Sequence, residues 1–476
     1  MSDGLGRASC RSGGVAVAAC AMLCVSALGV RAETMSGALF KTYQNNPDLN
    51  EQRAVVRVRD EDVPKAWAGA RPQAGFQSNA GPQRVGIKEP AGFDQYGDRA
   101  YVNDKYSGVP RNLTLTVTQP IFDGWKTRSS VQQAESGVFA ARADTRQAEQ
   151  EALQKGATAY MNVLRDTAVV HLRQNNISVL QEQLRVTRNR QELGEVTMTD
   201  VSQAEAALAQ GRSDHAASLG ALENSIANYV QIVGEAPNRL EPAGPLEALL
   251  PKSRDDAVRE ALAEHPSIVS AEHQVDAAEA AVHVAEAALM PTASVGVQAI
   301  QLYDSYFGYP RTRQVSGQFI GQLNVPIYQG GGEYAGIRQA KERLGQARIH
   351  ADVQRASVRA AVVQAYSQFN TAKAAIKFNG AAVRAAETAL RGVRDEAAFG
   401  QRTTYDVLKA QQDLLDARVN LVTSQRDLVV GSFAILAAVG GLSLQTLDQD
   451  APIYDPRIHF NQIKDNWIGF STPDGR

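Results

Sequence analysis

The phrase TQPIFDG (Thr118–Gly124) returns 206 positions later as NVPIYQG (Asn324–Gly330). An offset held over a long segment marks an internal duplication, so whatever this chain folds into must be built twice. At the same offset Ala134, Tyr160, Leu184, Gly194, Asp200, Leu208 and Gly234 fall on Ala340, Tyr366, Leu390, Gly400, Asp406, Leu414 and Gly440. Upstream the offset becomes 219, placing Ala38, Pro47 and Pro72 on Ala257, Pro266 and Pro291. The difference, 219 − 206 = 13, is an insertion in copy one between Pro72 and Pro120. Copy one covers about 36–234 and copy two about 255–440.

Each copy has the same plan. After Asn46-Pro47, and again after His265-Pro266, a helix-compatible segment leads to a second proline, with Pro64 expected to kink or split the first of the two. From Ile121 to Ala236 and from Ile327 to Ala451 there is no proline, and Ala, Gln, Glu, Arg and Leu dominate. One break falls inside each tract, at Glu192–Gln203 and around Phe399–Lys409. Gly194 and Gly400 suit a left-handed helix end, and Thr199 or Thr404 with the following aspartate suits a helix start. Each tract therefore reads as two helices joined at a tight tip that includes Thr197 and Thr403, the first helix running roughly 100 Å. The returning helices carry a coiled-coil stripe: Val201, Ala204, Leu208, Gly211, His215, Leu219, Leu222, Ile226, Tyr229 and Val233, and in copy two Val407, Ala410, Leu414, Ala417, Leu421, Leu428, Ile435 and Val439. His215 stands where copy two has Leu421, as a packed seam residue rather than a ligand.

Between the paired prolines the period changes to two. Asn112–Gln119 and Val315–Val325 alternate apolar with polar residues, and Ala74–Ala80 and Ala293–Ala299 do so more weakly. Lengths near ten residues suit tilted membrane strands with lipid on one side and water on the other. Pro120 to Gly124 and Pro326 to Gly330 then read as joints where a strand hands over to a long helix, with Phe122, Trp125 and Tyr328 at the membrane surface. The glycines at 330, 331 and 332 read as a flexible turn and not a phosphate loop.

A composition of 44% hydrophobic and 21% charged residues with a net charge of −2 speaks against nucleic acid as a partner. Residues 1–32 have the layout of an export signal: Arg7 and Arg11, an apolar run from Gly13 to Val30, and a small-residue cleavage site ending at Ala32. Cys10, Cys20 and Cys24 are the chain's three cysteines, so cleavage there removes every thiol; a competing reading makes Cys20 a lipidated N-terminus. Past residue 32 no stretch is expected to approach the roughly 20 apolar residues that a helical membrane span requires. Four strands per chain cannot close alone, and open edges are not tolerated in lipid, so other copies must complete the sheet. Three chains give the smallest attractive barrel.

With the paired P-I-[FY]-x-G joints and the paired G-x-x-T-x-x-D-V tips (Gly194–Val201 and Gly400–Val407), nearly the whole chain past residue 32 resembles the TolC-type outer membrane channels of Gram-negative bacteria. The tail Tyr454–Gly469 looks like type I secretion members, BepC-like proteins included. The resemblance implies an α+β membrane protein: a homotrimeric twelve-stranded outer-membrane β-barrel continuous with a periplasmic α-helical barrel. It also implies an equatorial belt from Glu235–His265 and from Gly441 onward. The expected organisation is a signal (1–32), a first repeat (33–234), an equatorial linker (235–254), a second repeat (255–440) and an equatorial tail (441–476). It implies a passive exit duct working with a periplasmic adaptor and an inner-membrane ABC or RND transporter, gated at the helical tips by bonds between neighbouring coils. By motif, Asp200 takes the place of an accepting carboxylate, Arg402 of its donor, Asn189 of an amide partner, and Asp406 of a carboxylate lining the constriction. Ala397 and Lys409 depart from the pattern, where a bracing tyrosine and a second acidic ring would stand. A ring of Asp406 side chains would attract cations, and Lys409 one turn away should weaken that field.

A periplasmic coiled-coil scaffold without a pore is the alternative, although a scaffold has no use for the alternating strands. An enzyme finds no support: seven histidines are scattered without an H-E-x-x-H arrangement, and no nucleophile elbow, P-loop or cofactor pattern is legible. Asp255 and Asp256 read as a helix start after Ser253. The exported cargo is not written in the sequence.

Overall fold

A computed structural model describes residues 32–304, 311–448 and 451–473. The expected export signal and all three cysteines lie outside these, apart from Ala32. Copy one runs α1 (Met35–Asn45), α2 (Pro47–Asp60), α3 (Asp62–Trp67), β1 (Gln73–Ala80), β2 (Gln83–Phe93), β3 (Arg99–Gly108), β4 (Arg111–Phe122), α4 (Lys126–Glu192) and α5 (Met198–Val233). Copy two runs α6 (Arg254–Glu264), α7 (Pro266–Glu286), β5 (Thr292–Tyr303), β6 (Arg313–Asn324), α8 (Gly332–Ala398) and α9 (Thr404–Val439), followed by α10 (Leu444–Leu447) and α11 (Arg457–Ile463). The duplication is visible to single caps. Asn46 and His265, each before a proline in the first turn, accept from the amides of Leu49 and Ser267 at the start of α2 and α7. As expected of Pro64, the chain breaks between α2 and α3, whereas α7 is unbroken.

The two long helices, α4 and α8, contain 67 residues each, so each spans roughly 100 Å. Their return partners, α5 and α9, contain 36 and cover only roughly 54 Å from the tip. The remaining half of α4 packs against α2, α3 and α7, and α7 also packs on α8. The main core sits where these segments meet, at the middle of the shaft. Leu39 and Leu49 pack there with Leu153, Tyr160, Tyr229, Phe433 and the tail residues Leu442 and Leu444. A second core joins Ile268, Val362, Phe369, Ile435 and Val439. Tyr160 donates to the carbonyls of Glu33 and Glu241, both at 2.7 Å, and its repeat mate Tyr366 donates to Pro251 at 2.6 Å. The duplicated tyrosine thus ties the segment that leads into each repeat, at Glu33 and at Pro251, to the middle of each long helix.

Contrary to the sequence expectation, α9 is long and apolar enough to pass as a membrane span, with a mean hydropathy of 1.3 over its most apolar window. Its apolarity serves the core, because Val429, Phe433, Ile435, Leu436 and Val439 are all buried between the two clusters. The stripe on α5 also needs one correction. Leu219 is exposed and Ser218 is buried in its place. Two successive four-residue steps, Gly211 to His215 to Leu219, carry a side chain about 80° off the seam, whereas a three-residue step to Ser218 returns to it. His215 itself is half-buried in the seam.

The four segments read as strands form one antiparallel sheet in the order β1-β4-β5-β6. Register places Ala74, Val117, Val297 and Phe319 in one row, and Phe76, Leu115 and Ala299 in the next. The alternate rows hold Gly75, Thr116, Gln298 and Gln318, and Gln77 with Thr114, so one face is apolar and the other mostly polar across all four strands. Gln318 donates to Gln298, which donates to Thr116, along the polar face. The apolar face is left open, with Phe76 69% and Phe319 73% exposed. The insertion in copy one is spent on a separate ribbon, β2 paired with β3, which the sequence reading did not anticipate.

At both joints the chain takes two consecutive left-handed residues. These are Gly124 (φ 70°) and Trp125 (φ 69°) in copy one, and Gly330 (φ 78°) and Gly331 (φ 87°) in copy two. The expected flexible turn is therefore a required conformation, which L side chains resist. Trp125 adopts it with its ring edge-on to Phe122 at 5.7 Å. Pro120 sits beside a register shift in β4, where a strand tolerates a missing donor, and Asp123 caps α4 by accepting from the Thr127 amide at 2.7 Å. A side chain on Gly124 would lie 2.6 Å from Met290 Cβ and 3.1 Å from the Ala287 carbonyl, whereas one on Gly330 meets nothing. Gly124→Ala should therefore cost about 2–4 kcal/mol, from strain plus overpacking, and Gly330→Ala only about 1. Thermal denaturation of both variants checks this; equal losses would contradict the packing account.

Candidate functional site

The far ends of the two helical hairpins hold every residue expected to gate a passage. Each long helix ends on a left-handed glycine, Gly194 (φ 74°) or Gly400 (φ 73°). The next amide reaches back five residues to close the end: Glu195 donates to the Arg190 carbonyl and Gln401 to that of Glu396, both at 2.9 Å. The returning helices start with a reciprocal cap. Thr197 and Thr403 accept from the amides of Asp200 and Asp406, and each aspartate accepts from the threonine's own amide, at 2.9 and 3.0 Å. The caps are thus not Thr199 and Thr404, as sequence spacing suggested, because the reciprocal bond needs the carboxylate three residues beyond the hydroxyl.

Both carboxylates are held below the usual range. For Asp200 the main cause is the Thr197 hydroxyl, followed by its amide, with the Thr404 hydroxyl of the second hairpin contributing; for Asp406 it is the Thr403 amide, then its hydroxyl. Asp200 therefore lies where the two tips of one chain meet. Because its folded value is depressed, this contribution is fully present above the ordinary carboxylate pKa of about 3.9 and is lost as pH falls through the lower folded value.

Arg402 does not reach Asp200 within the chain. It donates to Glu396 at 2.8 Å across its own turn, while the first turn carries the same buttress with reversed polarity, Arg190 to Glu195 at 2.9 Å. Lys409 pairs with Asp413 at 2.9 Å, one turn further from the tip than Asp406. Asn189 is exposed and its carbonyl accepts from the Leu193 amide. Glu396 and Asp413 are thus site residues that sequence reasoning missed, and Thr404, read there as a helix start, reaches Asp200 instead; the Glu396 signal, an opposite charge six residues before Arg402, shows only once the turn is drawn. Above the tips a groove of about 500 Å³ runs between α5 and α9, lined among others by Gln203, Gly211, Asp214, Tyr405 and Lys409. No cluster of metal-ligating side chains occurs among the described residues.

Comparison with known proteins matches residues 39–235 and 257–441 to the model of the outer membrane efflux protein family. The chain is 39% identical to the outer membrane efflux protein BepC of Brucella suis over 93% of both chains. It is 27% identical to the outer membrane protein TolC of Escherichia coli, covering 86% of this chain and 83% of that one. The crystal structure of the outer membrane protein VceC of Vibrio cholerae superposes with a TM-score of 0.68 at 20% identity, covering 86% and 96%.

The threonine caps give a test that needs no transport assay. Thr197→Ala and Thr403→Ala should each loosen the tip by about 1 kcal/mol, speeding hydrogen exchange of the first-turn amides about fivefold with the shaft unaffected. Unchanged exchange in both would mean that the caps do not set tip order.

Proposed function

We propose, because this chain belongs to the outer membrane efflux protein family, that three copies close a twelve-stranded barrel (3 × 4) over a helical tunnel, forming the exit duct of a tripartite secretion or efflux system. The chain is an outer membrane protein with a periplasmic helical extension, and its family is one of transport channels. The observation that carries the trimer is the sheet: one apolar face across four strands, with β1 and β6 each paired on one side alone among the described residues. In lipid such edges demand partners, and a threefold arrangement supplies them while gathering the helical hairpins into one tube. In this reading residues 1–32 direct export, 33–234 and 255–440 are the two repeats, and 235–254 with 441–476 form the equatorial belt. A periplasmic adaptor and an inner-membrane ABC or RND transporter complete the path.

The tips form the gate in this reading. Asp200 of one coil accepts from Arg402 of a neighbouring one, with Asn189 beside them, and Asp406 lines the mouth. Glu396 holds Arg402 within its own turn, so it competes with that latch. Lys409 shares its charge with Asp413, so three acidic groups, Asp406, Asp413 and Asp416, surround one lysine on this helix face. In planar bilayers Arg402→Ala and Asp200→Ala should raise conductance about twofold or more, and Glu396→Ala, which frees the arginine, should lower it. Unchanged conductance in all three would remove the gate assignment.

A further inference from the structure

The C-terminal segment ends on a feature that the duct does not use. Beyond α11 the sequence Asn466-Trp-Ile-Gly-Phe470 leaves three large apolar side chains in the open, with Trp467 66%, Ile468 96% and Phe470 fully exposed. Exposed apolar residues scattered singly need no explanation, but three within four positions do. The path that brings them there is fixed. Ile463 is buried, and His459 Nδ1 lies 3.0 Å from the Asp60 carboxylate at the end of α2, inside the fold. Arg142 lies beside the same carboxylate at 3.6 Å and sets its guanidinium over the Phe460 ring at 5.2 Å. From this clasp the tail runs alongside α3 toward the sheet, where Arg71 donates to the Asn466 carbonyl at 2.9 Å and lies 4.8 Å over the Trp467 ring.

Arg71 fixes the level at which the tail arrives. Pro72 and then the first residue of β1, Gln73, follow it directly, and Gln119 of β4 donates to the adjoining Ala70 carbonyl at 2.8 Å. Trp67, Ala70, Phe122 and Trp125 line one shallow depression at this same joint. Arg71 thus holds Trp467 at the level of the joint where the sheet begins, and Ile468 and Phe470 follow it within three residues. Arg128 lines the same depression, stacks on Trp125 at 5.9 Å and brings a positive charge suited to lipid phosphates. An indole capped by a guanidinium, followed by bare aliphatic and aromatic side chains, is the chemistry of the bilayer interface.

We propose that Trp467, Ile468 and Phe470 form a lipid anchor that inserts into the periplasmic leaflet of the outer membrane. The inference rests on the sheet being the membrane-spanning part. The anchor tethers the equatorial tail to the membrane from outside the barrel, and Arg71 is its positioning residue.

Trp67, Trp125 and Trp467 are the chain's three tryptophans, which makes the anchor readable by fluorescence. Trp67→Phe with Trp125→Phe leaves Trp467 as the sole emitter in the full-length protein. This protein is reconstituted in phosphatidylcholine–phosphatidylglycerol bilayers whose acyl chains carry bromine near the headgroup or near the terminal methyl. The anchor predicts blue-shifted emission quenched about twofold by the shallow label and less by the deep one. Emission typical of water without quenching, or blue-shifted emission without quenching as packing against a second copy would give, overturns it. Phe319→Trp in a chain whose native tryptophans are all phenylalanine serves as the parallel reporter. If that probe is quenched and Trp467 is not, the anchor alone fails; if neither is quenched, the membrane assignment of the sheet fails with it. Should the double replacement not assemble, the difference in quenching between the unaltered chain and Trp467→Phe alone reads the same quantity.

Discussion

Among the described residues, an antiparallel sheet of four strands leaves two rows of backbone amides and carbonyls without sheet partners, along β1 and β6. In water such edges are solvated at little cost, but in hydrocarbon each unpaired group costs several kcal/mol. Added over strands of eight to twelve residues, that penalty far exceeds the stability of an ordinary domain. In the proposed barrel the apolar row from Ala74 to Phe319 faces lipid, so the same residues that favour the membrane also require closure. The proposed trimer follows from this conflict more than from any single contact between chains.

The shaft solves a different problem. Helices of 67 residues cannot bury a face against themselves, and their partners from the tip reach only halfway. The shorter helices α2, α3 and α7 take over where α5 and α9 stop, and the seams between the two sets fall at the middle of the shaft. The linker gathers there, held by Tyr160 and Tyr366, and the tail joins it through Leu442 and Leu444, so the thickest core lies at the level where the helix pairing changes. The tips, farthest from that core, hold a small apolar cluster around Leu180, Leu184 and Val201 and depend on caps and ion pairs. That distribution places the least stable part of each hairpin at the tips, where the proposed gate would move.

Much of this could be read from residue order alone, because duplication repeats its signals. The joints, the tip glycines, the paired X-Pro helix starts and the mid-helix tyrosines all appear twice at constant spacing, and period-two alternation identified β1, β4, β5 and β6. What escaped depends on geometry that no local pattern carries. The β2–β3 ribbon is written with Gly86, Pro90 and Gly92 interrupting its alternation, and pairing with each other was its strands' only marker. The left-handed backbone at Trp125 has a glycine signal only in its repeat mate, Gly331. Hydropathy could not separate α9 from a membrane span, since burial between two cores and burial in lipid select the same side chains. At the tips the residue types were legible but their partners were not: Arg402 faces Glu396 because a tight turn brings i and i−6 together.

The account stands or falls on how many chains share one sheet. Native mass spectrometry of the outer-membrane protein, released intact from detergent micelles, counts them directly. A complex of three chains is the predicted result; a single chain that survives release with its sheet content unchanged, or a complex of any other number, would contradict it.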